Sequence, residues 1–522
     1  MSRNLLADCD RNPTEWDNRP EMTAADALRD SLEELAGALE GFEFRLPGPD
    51  QGPRERARAE LVRSIREYLL PRLQDPEAPV VAVVVGPTGS GKSVLLNSLA
   101  GQNASEPGAL RPTTRSPVVW AHRSNSGRYQ SGFLAGLGSR DVKLVLGEDP
   151  LTKQLTVIDA PDFESVYLDS REVGEQVLAV ADLCIFIASA LRYADAAAWE
   201  FLDQVRQRGL PILFVLNRLG TDPEARKVIL NHFAAMLKTR DLLLEADASL
   251  IFDVSEQVVY PRRGGLHADA VAGIRRELSL ISDPTLRREV VRQSTEGALA
   301  EAIDKVGRIA DAVQEDRAVV ETLQTMADQA YAAELTECNQ LIQDGGLVVM
   351  AGGEDRQVVV RELAAAFSRR AGIASRDAAT LWDGLAEGQA LLQLAPTLWR
   401  HGPDTPELAT REAEAWMESL EANLIGSVRG GRKRRVAAAQ LAAQVLGASE
   451  VSSGTRWHAL LGDEGLKSAA RQRLEGHLAN VLASDADRFL ALTSRVNQPT
   501  GLAEAVRGLA VDVSARAGEF YE

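Results

Sequence analysis

Apolar positions in the first part of the chain recur with helical spacing. Ala27, Leu28, Leu32, Leu35 and Leu39 form one stripe, which predicts a helix from Thr23 to about Leu39. Pro47, Pro49 and Pro53, interleaved with glycines, break the pattern. A second stripe of Leu61, Ile65, Leu69 and Leu70 predicts a helix from about Arg54 to Leu73, kinked or ended early by Pro71. Residues 1–22 are polar, carry Pro13 and Pro20, and read as a flexible arm. The helices over 23–78 are expected to pack on a helical region further along the chain.

The texture changes at Pro79. Val80–Val85 is apolar without alternation, as in a strand buried on both faces of a parallel sheet. Short apolar runs follow at Val118–Ala121, Leu155–Asp159, Leu183–Ile187, Ile212–Leu216 and Leu250–Val254. Helical patterns fall between them at Lys92–Ala100, Ala194–Arg208 and Pro223–Lys238. This alternation over 79–282 predicts a three-layer α/β domain with a mostly parallel sheet. From about residue 283 the strand patterns nearly vanish. Leu299, Val306, Val313 and Val320 share a heptad spacing and are joined by Ile303, Leu323 and Met326, which predicts a long helix with a bundle or coiled-coil seam. Breaks at Gly345–Gly353, His401–Pro403 and Gly426–Arg435 divide the remainder, so 283–522 is expected to be a large all-α region of bundle or stalk type.

Composition adds limits. The 522 residues, 45% hydrophobic and 25% charged, suit a soluble protein of two or three domains. A net charge of -17 argues against general binding to nucleic acid or anionic membrane. The one dense basic run is Arg429, Arg432, Lys433, Arg434 and Arg435. It reads as a solvated loop or as a helical tip for peripheral contact with anionic lipid or RNA. Nucleic acid is not an expected partner. Cys9, Cys184 and Cys338 are too scattered for a zinc site or a disulfide framework, which fits a reducing cytoplasm. The N-terminus lacks a secretory pattern, and no apolar stretch approaches the ~20 residues of a spanning helix. The expected location is therefore cytoplasmic, with peripheral membrane contact left open. Trp382, Trp399, Trp416 and Trp457 read as core anchors.

The sharpest motif is Gly86-Pro-Thr-Gly-Ser-Gly-Lys-Ser93, which fits G-x-x-x-x-G-K-[ST] and lies between an apolar strand and a helix. Its glycines allow backbone N–H groups to close around phosphates, and the helix start adds a positive dipole end. Gly86, Thr88, Gly89, Ser90, Gly91, Lys92, Ser93 and Val94 are the candidate phosphate-binding residues. Lys92 suits the β- and γ-phosphates, and Ser93 suits Mg²⁺. Asp159, at the end of the Leu155–Asp159 strand, suits a water on the same ion.

These residues, with others around them, resemble the translation-factor class of GTPases in its Era/dynamin-like branch. Val94-Leu-Leu-Asn-Ser-Leu-Ala-Gly101 is similar to the family's LLNALLG, and Arg111-Pro-Thr-Thr-Arg-Ser-Pro117 to its first switch, which puts the Mg²⁺-binding threonine on or next to Thr114. Asp159-Ala-Pro-Asp162 resembles DxPG. Phe214-Val-Leu-Asn-Arg218 resembles the strand that ends in NKxD, so Asn217 and Arg218 match Asn and Lys. Ser255, in Asp253-Val-Ser255, is a faint match to the last guanine loop. The resemblance covers about 79–282 and implies a P-loop G domain. It implies GTP with Mg²⁺ as ligands, and Lys92, Thr114 and Asp159 as the residues of hydrolysis. It also implies a helical region that moves or self-assembles with nucleotide state, with homo-oligomers formed through the G domain or the helices.

Three positions depart from the family. Thr88 stands where dynamins carry a group that orients water, Asp162 replaces the glycine of switch II, and Gly220 replaces the aspartate of NKxD. Loss of that aspartate weakens guanine selection, which leaves ATP as an alternative nucleotide and a weakly hydrolysing scaffold as an alternative role. Asp222 substitutes for it only with a shifted loop. Arg192 reads as a surface charge near a helix start, or as a finger reaching a partner G domain.

Overall fold

The computed structural model describes residues 23–105, 116–131, 142–160, 177–243, 246–256, 264–348, 355–447 and 458–521. Its strands are β1 (Val80–Val85), β2 (Val118–His122), β3 (Lys143–Gly147), β4 (Leu155–Asp159), β5 (Leu183–Ser189), β6 (Ile212–Leu219) and β7 (Ile251–Ser255). They form one seven-stranded sheet in the order β3-β2-β4-β1-β5-β6-β7. Only the β2–β4 pairing is antiparallel. The helices before and within this sheet are α1 (Ala24–Glu40), α2 (Gln51–Ser64), α3 (Leu70–Gln74), α4 (Lys92–Ala100), α5 (Arg128–Ser131), α6 (Ala196–Gln207), α7 (Pro223–Thr239) and α8 (Ala272–Ser279). Those after it are α9 (Pro284–Asp344), α10 (Arg356–Asp383), α11 (Ala386–Leu394), α12 (Thr405–Asn423), α13 (Gly431–Val445), α14 (His458–Leu461), α15 (Glu464–Val496) and α16 (Leu502–Tyr521).

Two compact units emerge among the described residues. One takes those up to Phe42, Ala57–Ala310 and those from Glu504; the other takes Glu43–Arg56 and Asp311–Ala503. The first contains the expected three-layer α/β fold. All six residues of β1 are buried. Val80, Ala82 and Val84 pack with Leu95, Leu96 and Leu99 of α4 and with Ile274 and Leu278 of α8. Phe186 of β5 and Phe214 of β6 meet edge-on, and Phe214 meets Phe233 of α7 in the same way. Burial on both faces removes the alternation that a half-exposed strand shows. Strand β3 was not apparent in the sequence: Lys143-Leu-Val-Leu-Gly147 is a partly exposed edge with neither a long apolar run nor alternation. Pro71 neither ends nor breaks its helix. A π-helical turn at Ile65–Leu69, with Leu70 N–H donating to Ile65 O, carries the chain past the residue that has no N–H.

The division between units does not fall at residue 282, because the start of α9 and α16 from Glu504 onward belong with the sheet. The expectation that the N-terminal helices pack on the helical region holds only for Glu43–Arg56, which includes the first turn of α2; α1, the rest of α2 and α3 group with the sheet. Ser31 of α1 bonds Asp512 of α16, and the turn before α3 reaches into the sheet. Arg72 forms an ion pair with Asp182 at the entry to β5, both side chains fully buried. Arg72 also donates to Ala78 O at 3.0 Å and Pro79 O at 3.1 Å. Val81 N–H of β1 donates to Asp182 at 2.8 Å. Tyr68 Oη donates to Asp182 at 2.9 Å and lies 2.8 Å from Ser294 Oγ of α9. Burial and the Asp182 charge push the Tyr68 phenol far above its ordinary pKa, so it stays a donor.

The elements of the second unit among its described residues are all helices. Val320 and Leu323 of α9 enter its core, and the heptad positions Leu299, Val306 and Val313 are buried earlier on the same helix. Trp382 and Trp416 are core anchors whose indole N–H groups donate to Leu323 O at 2.8 Å and Ala470 O at 3.0 Å. Trp399 is not an anchor: it is 38% exposed. Trp457 lies outside the described residues. Cys184 and Cys338 are buried, and burial raises both thiols, Cys338 to about 12.

The Asp182 network generates a stability prediction. Asp182→Ala leaves the Arg72 guanidinium buried without its counter-charge, at an expected cost of about 3–5 kcal/mol to the sheet-bearing unit. Denaturant unfolding of the full chain measures it. A cost below about 1 kcal/mol means that Arg72 finds compensation elsewhere.

Candidate functional site

The loop from Gly86 to Gly91 joins β1 to α4, and close backbone contacts set its shape. At Gly86 (φ 156°) an added Cβ would lie 1.9 Å from Ile187 O of β5, and at Gly91 (φ 105°) it would lie 2.5 Å from Asn217 Nδ2. Neither position admits a side chain without moving backbone or the asparagine. Ser90 is fully buried, and its N–H donates to Pro87 O at 3.1 Å. Leu95 N–H donates to Gly91 O at 2.8 Å and opens the helix. Lys92 folds back over the loop. Its Nζ donates to Gly86 O at 2.8 Å and Pro87 O at 3.3 Å, so the ammonium stays above the loop although Lys92 is buried. Val94, on the first turn of α4, accepts a bond from Ser98 Oγ through its carbonyl at 2.6 Å.

Beside the loop, Ser93 Oγ donates to Asp159 Oδ2 at 2.6 Å. Strand pairing sets this contact, because Asp159 sits opposite Val84 in the β1–β4 register. Asp159 is fully buried. A second hydroxyl, Ser105 Oγ, reaches the same carboxylate oxygen at 2.7 Å. Ser105 belongs to no motif, and nothing local in the chain signals its role. Asn97 positions it: Asn97 Oδ1 accepts from Ala104 N–H and Ser105 N–H, both at 2.8 Å, and Nδ2 donates to Ser105 O at 2.6 Å. Thr114 and Asp162 lie outside the described residues.

Asn217 reaches the loop from β6. Its Nδ2 donates to Ser90 O at 2.8 Å, and its Oδ1 accepts from Arg218 N–H at 2.8 Å. Arg218 has φ 57°, and the β6–β7 register shifts between Leu216 and Leu219. This irregularity lets the strand run to Leu219 instead of ending at Leu216. Ser255 does not meet the loop through any described contact. Its Oγ accepts from Arg226 of α7 at 2.9 Å, and Arg226 also pairs with Asp253. Asp222 is the N-cap of α7, its carboxylate accepting from Glu224 N–H at 3.2 Å. Gly220 has open space around it and no positive φ.

Arg192, after β5, touches the loop of its own chain. Its Nη1 donates to Thr88 O at 2.8 Å, and Nη2 pairs with Asp195. The helix it precedes starts at Ala196 rather than Ala194, because the chain first turns through Arg192 and Tyr193, whose N–H groups donate to Ser189 O at 2.9 and 3.0 Å.

The donor set suits a nucleotide with Mg²⁺. The glycines leave the cradle free of side chains, Lys92 supplies positive charge, and Ser93 with Asp159 offers the hard oxygens that Mg²⁺ takes. No cluster of His, Cys, Asp and Glu among the described residues suits a transition metal.

Comparison with known proteins finds partial similarities. Over 152 residues the chain is 24% identical to the probable transmembrane GTPase FZO-like, chloroplastic, of Arabidopsis thaliana. That stretch is 29% of this chain and only 16% of the length of that relative. A solved structure of Era with MgGDPNP and nucleotides 1506–1542 of 16S ribosomal RNA aligns with a TM-score of 0.25 and 20% identity, over 34% of this chain and 51% of Era. A structure of an oligomerised bacterial dynamin pair, described as a mechanism for long-range sensing and tethering of membranes, aligns over 98% of this chain and 97% of its own, with a TM-score of 0.36 and 10% identity. The family model described as 50S ribosome-binding GTPase matches residues 81–218, from β1 through the phosphate loop to Arg218. The matched residues, with the loop geometry they contain, are similar to a P-loop GTPase domain of that description.

Proposed function

We propose that this protein binds GTP with Mg²⁺ at Gly86–Ser93 and hydrolyses it. The observation that carries the reading is the 2.6 Å contact between Ser93 Oγ and Asp159 at the mouth of the phosphate loop. Bound Mg²⁺ would supply charge neutralisation to the phosphates. Ser93 would offer that ion a hydroxyl ligand, and Asp159 would hold a water on it. Lys92 exchanges its bonds to Gly86 O and Pro87 O for phosphate oxygens. The N-terminus of α4 adds dipolar attraction. Thr114 is the proposed switch threonine. Arg192 holds the Thr88 carbonyl from within the chain, a positioning contact that needs no partner G domain.

The nucleotide state is proposed to act on the helices through self-assembly. Helix α9 supports this, since its residues up to Ala310 group with the sheet and those from Asp311 with the helical unit. Phosphate release measured over a hundredfold range of protein concentration tests the proposal. The expected result is turnover per chain that rises with concentration and is abolished by Lys92→Ala. Turnover independent of concentration overturns the assembly link, and no turnover at any concentration overturns hydrolysis.

A second reading, a weakly selective nucleotide-holding scaffold that recruits a protein partner and accepts ATP, is favoured by one observation. Asp222, the nearest carboxylate to the missing NKxD aspartate, is already committed to the N-cap of α7. Gly220→Asp separates the two readings, because the site has room for the side chain. Competition binding is expected to show GTP preference over ATP rising about tenfold or more, the worth of a charged acceptor for guanine N–H groups. An unchanged ratio means that this loop does not face the base.

A further inference from the structure

We propose that the helical unit carries a second anion site, built by Arg369, Arg376, Arg400 and His401 with Trp399, for a ligand bearing clustered phosphates. The residues line a concavity of about 520 Å³ together with Ser368, Gly372 and Ile373. None of these lining residues is a carboxylate. Arg369 and Arg376 lie seven residues apart on α10, so they project from one face with Gly372 and Ile373 between them. The glycine keeps the helix surface low at that point. Arg400 and Trp399 arrive from the short turn Pro396–Trp399 and the residue after it.

The charge pattern is unusual for this molecule. The protein carries a net charge of -17. Arg370, next to Arg369, is paired with Glu334 at 3.1 Å and Glu337 at 2.9 Å. By contrast, the guanidinium groups of Arg369, Arg376 and Arg400 have no ion pair or hydrogen bond to any described residue. Gathering three like charges around one hollow costs energy that an anion recovers, and a guanidinium matches two phosphate oxygens at once.

The loop that presents Trp399 and Arg400 is held from behind. Ser375 Oγ lies 2.8 Å from both Leu398 O and Arg400 O. Arg488 donates to Thr397 O at 2.6 Å and to Arg400 O at 2.8 Å. Gly402 N–H donates to the buried carboxylate of Asp485, which Thr405 and Tyr331 also bond, each at 2.6 Å. His401 Nδ1 bonds Gly402 O at 2.9 Å, which leaves Nε2 as the ring's other polar atom. A loop fixed at this many points exposes a tryptophan without collapsing over it. The backbone that carries Trp399 and Arg400 is therefore fixed before a ligand arrives, and only the arginine side chains are ordered by binding. Trp399 gives the hollow one flat apolar wall, suited to the non-phosphate part of the ligand.

Inorganic pyrophosphate is the probe, titrated by calorimetry into the full-length Lys92→Ala protein so that the phosphate loop does not contribute. The expected result is saturable binding that weakens about tenfold or more in the R369Q/R376Q/R400Q background. Arg376→Gln alone, a change at an exposed side chain, is expected to weaken it several-fold and guards against misfolding of the triple variant. A second arm sediments the same proteins with phosphatidylcholine vesicles, with and without phosphatidic acid. Arginine-dependent sedimentation only with phosphatidic acid assigns the site to a lipid headgroup. Arginine-dependent pyrophosphate binding without sedimentation assigns it to a free phosphorylated ligand. The proposal is overturned if neither arm depends on these arginines, or if pyrophosphate binding vanishes with Lys92→Ala alone and no vesicle arm responds. Because the assay omits the phosphate loop, its failure is separate from any failure of the GTP assignment.

Discussion

Two hydroxyls, Ser93 Oγ and Ser105 Oγ, converge on one buried carboxylate oxygen of Asp159. A carboxylate so deep in the sheet needs strong donors or a cation beside it. These two bonds supply the donors, and Ser93 with Asp159 is also the pair proposed to meet Mg²⁺. The rest of the loop follows from keeping that oxygen next to the helix start. β1 and β4 must be adjacent and in register, and Gly86 and Gly91 must lack side chains so that Ile187 O and Asn217 can close in. Asn217 then links β6 to the loop through Ser90 O.

The scaffold behind the loop has its own polar centre. Asp182 accepts from Val81 of β1, pairs with Arg72 and takes the Tyr68 hydroxyl, with Ser294 of α9 alongside. The N-terminal helices, the central strand and the first turns of α9 are therefore fastened at one end of the sheet. The phosphate loop lies at the other end of the same strand. β1 is thus fixed at its entry by a network that includes α9 and at its exit by the nucleotide site.

The sheet and the phosphate site were legible in the sequence for different reasons. A parallel strand buried on both faces leaves an unbroken apolar run, and Val80–Val85 is such a run. The loop's glycines and Lys92–Ser93 form a fixed spacing because phosphate chemistry fixes it. Other features left no local trace. β3 is an exposed edge that gains its place by pairing with β2. Ser105 acquires its role only through Asn97, and the capping duty of Asp222 appears only once α7 is seen to begin at Pro223. The association of α1, α3 and α16 with the sheet depends on Arg72 and Ser31 meeting Asp182 and Asp512, partners distant in sequence. Trp399 looked like its buried counterparts because composition does not reveal which tryptophan indole finds an interior carbonyl.

The most direct measurement is a calorimetric titration of GTP into wild type and Ser93→Ala, each with Mg²⁺ and with a chelator. The account predicts that Mg²⁺ tightens binding to wild type by about tenfold or more, and that Ser93→Ala removes most of this gain. GTP affinity that ignores both Mg²⁺ and the serine would contradict it, since the Ser93–Asp159 contact would then be a structural hydrogen bond and nothing further.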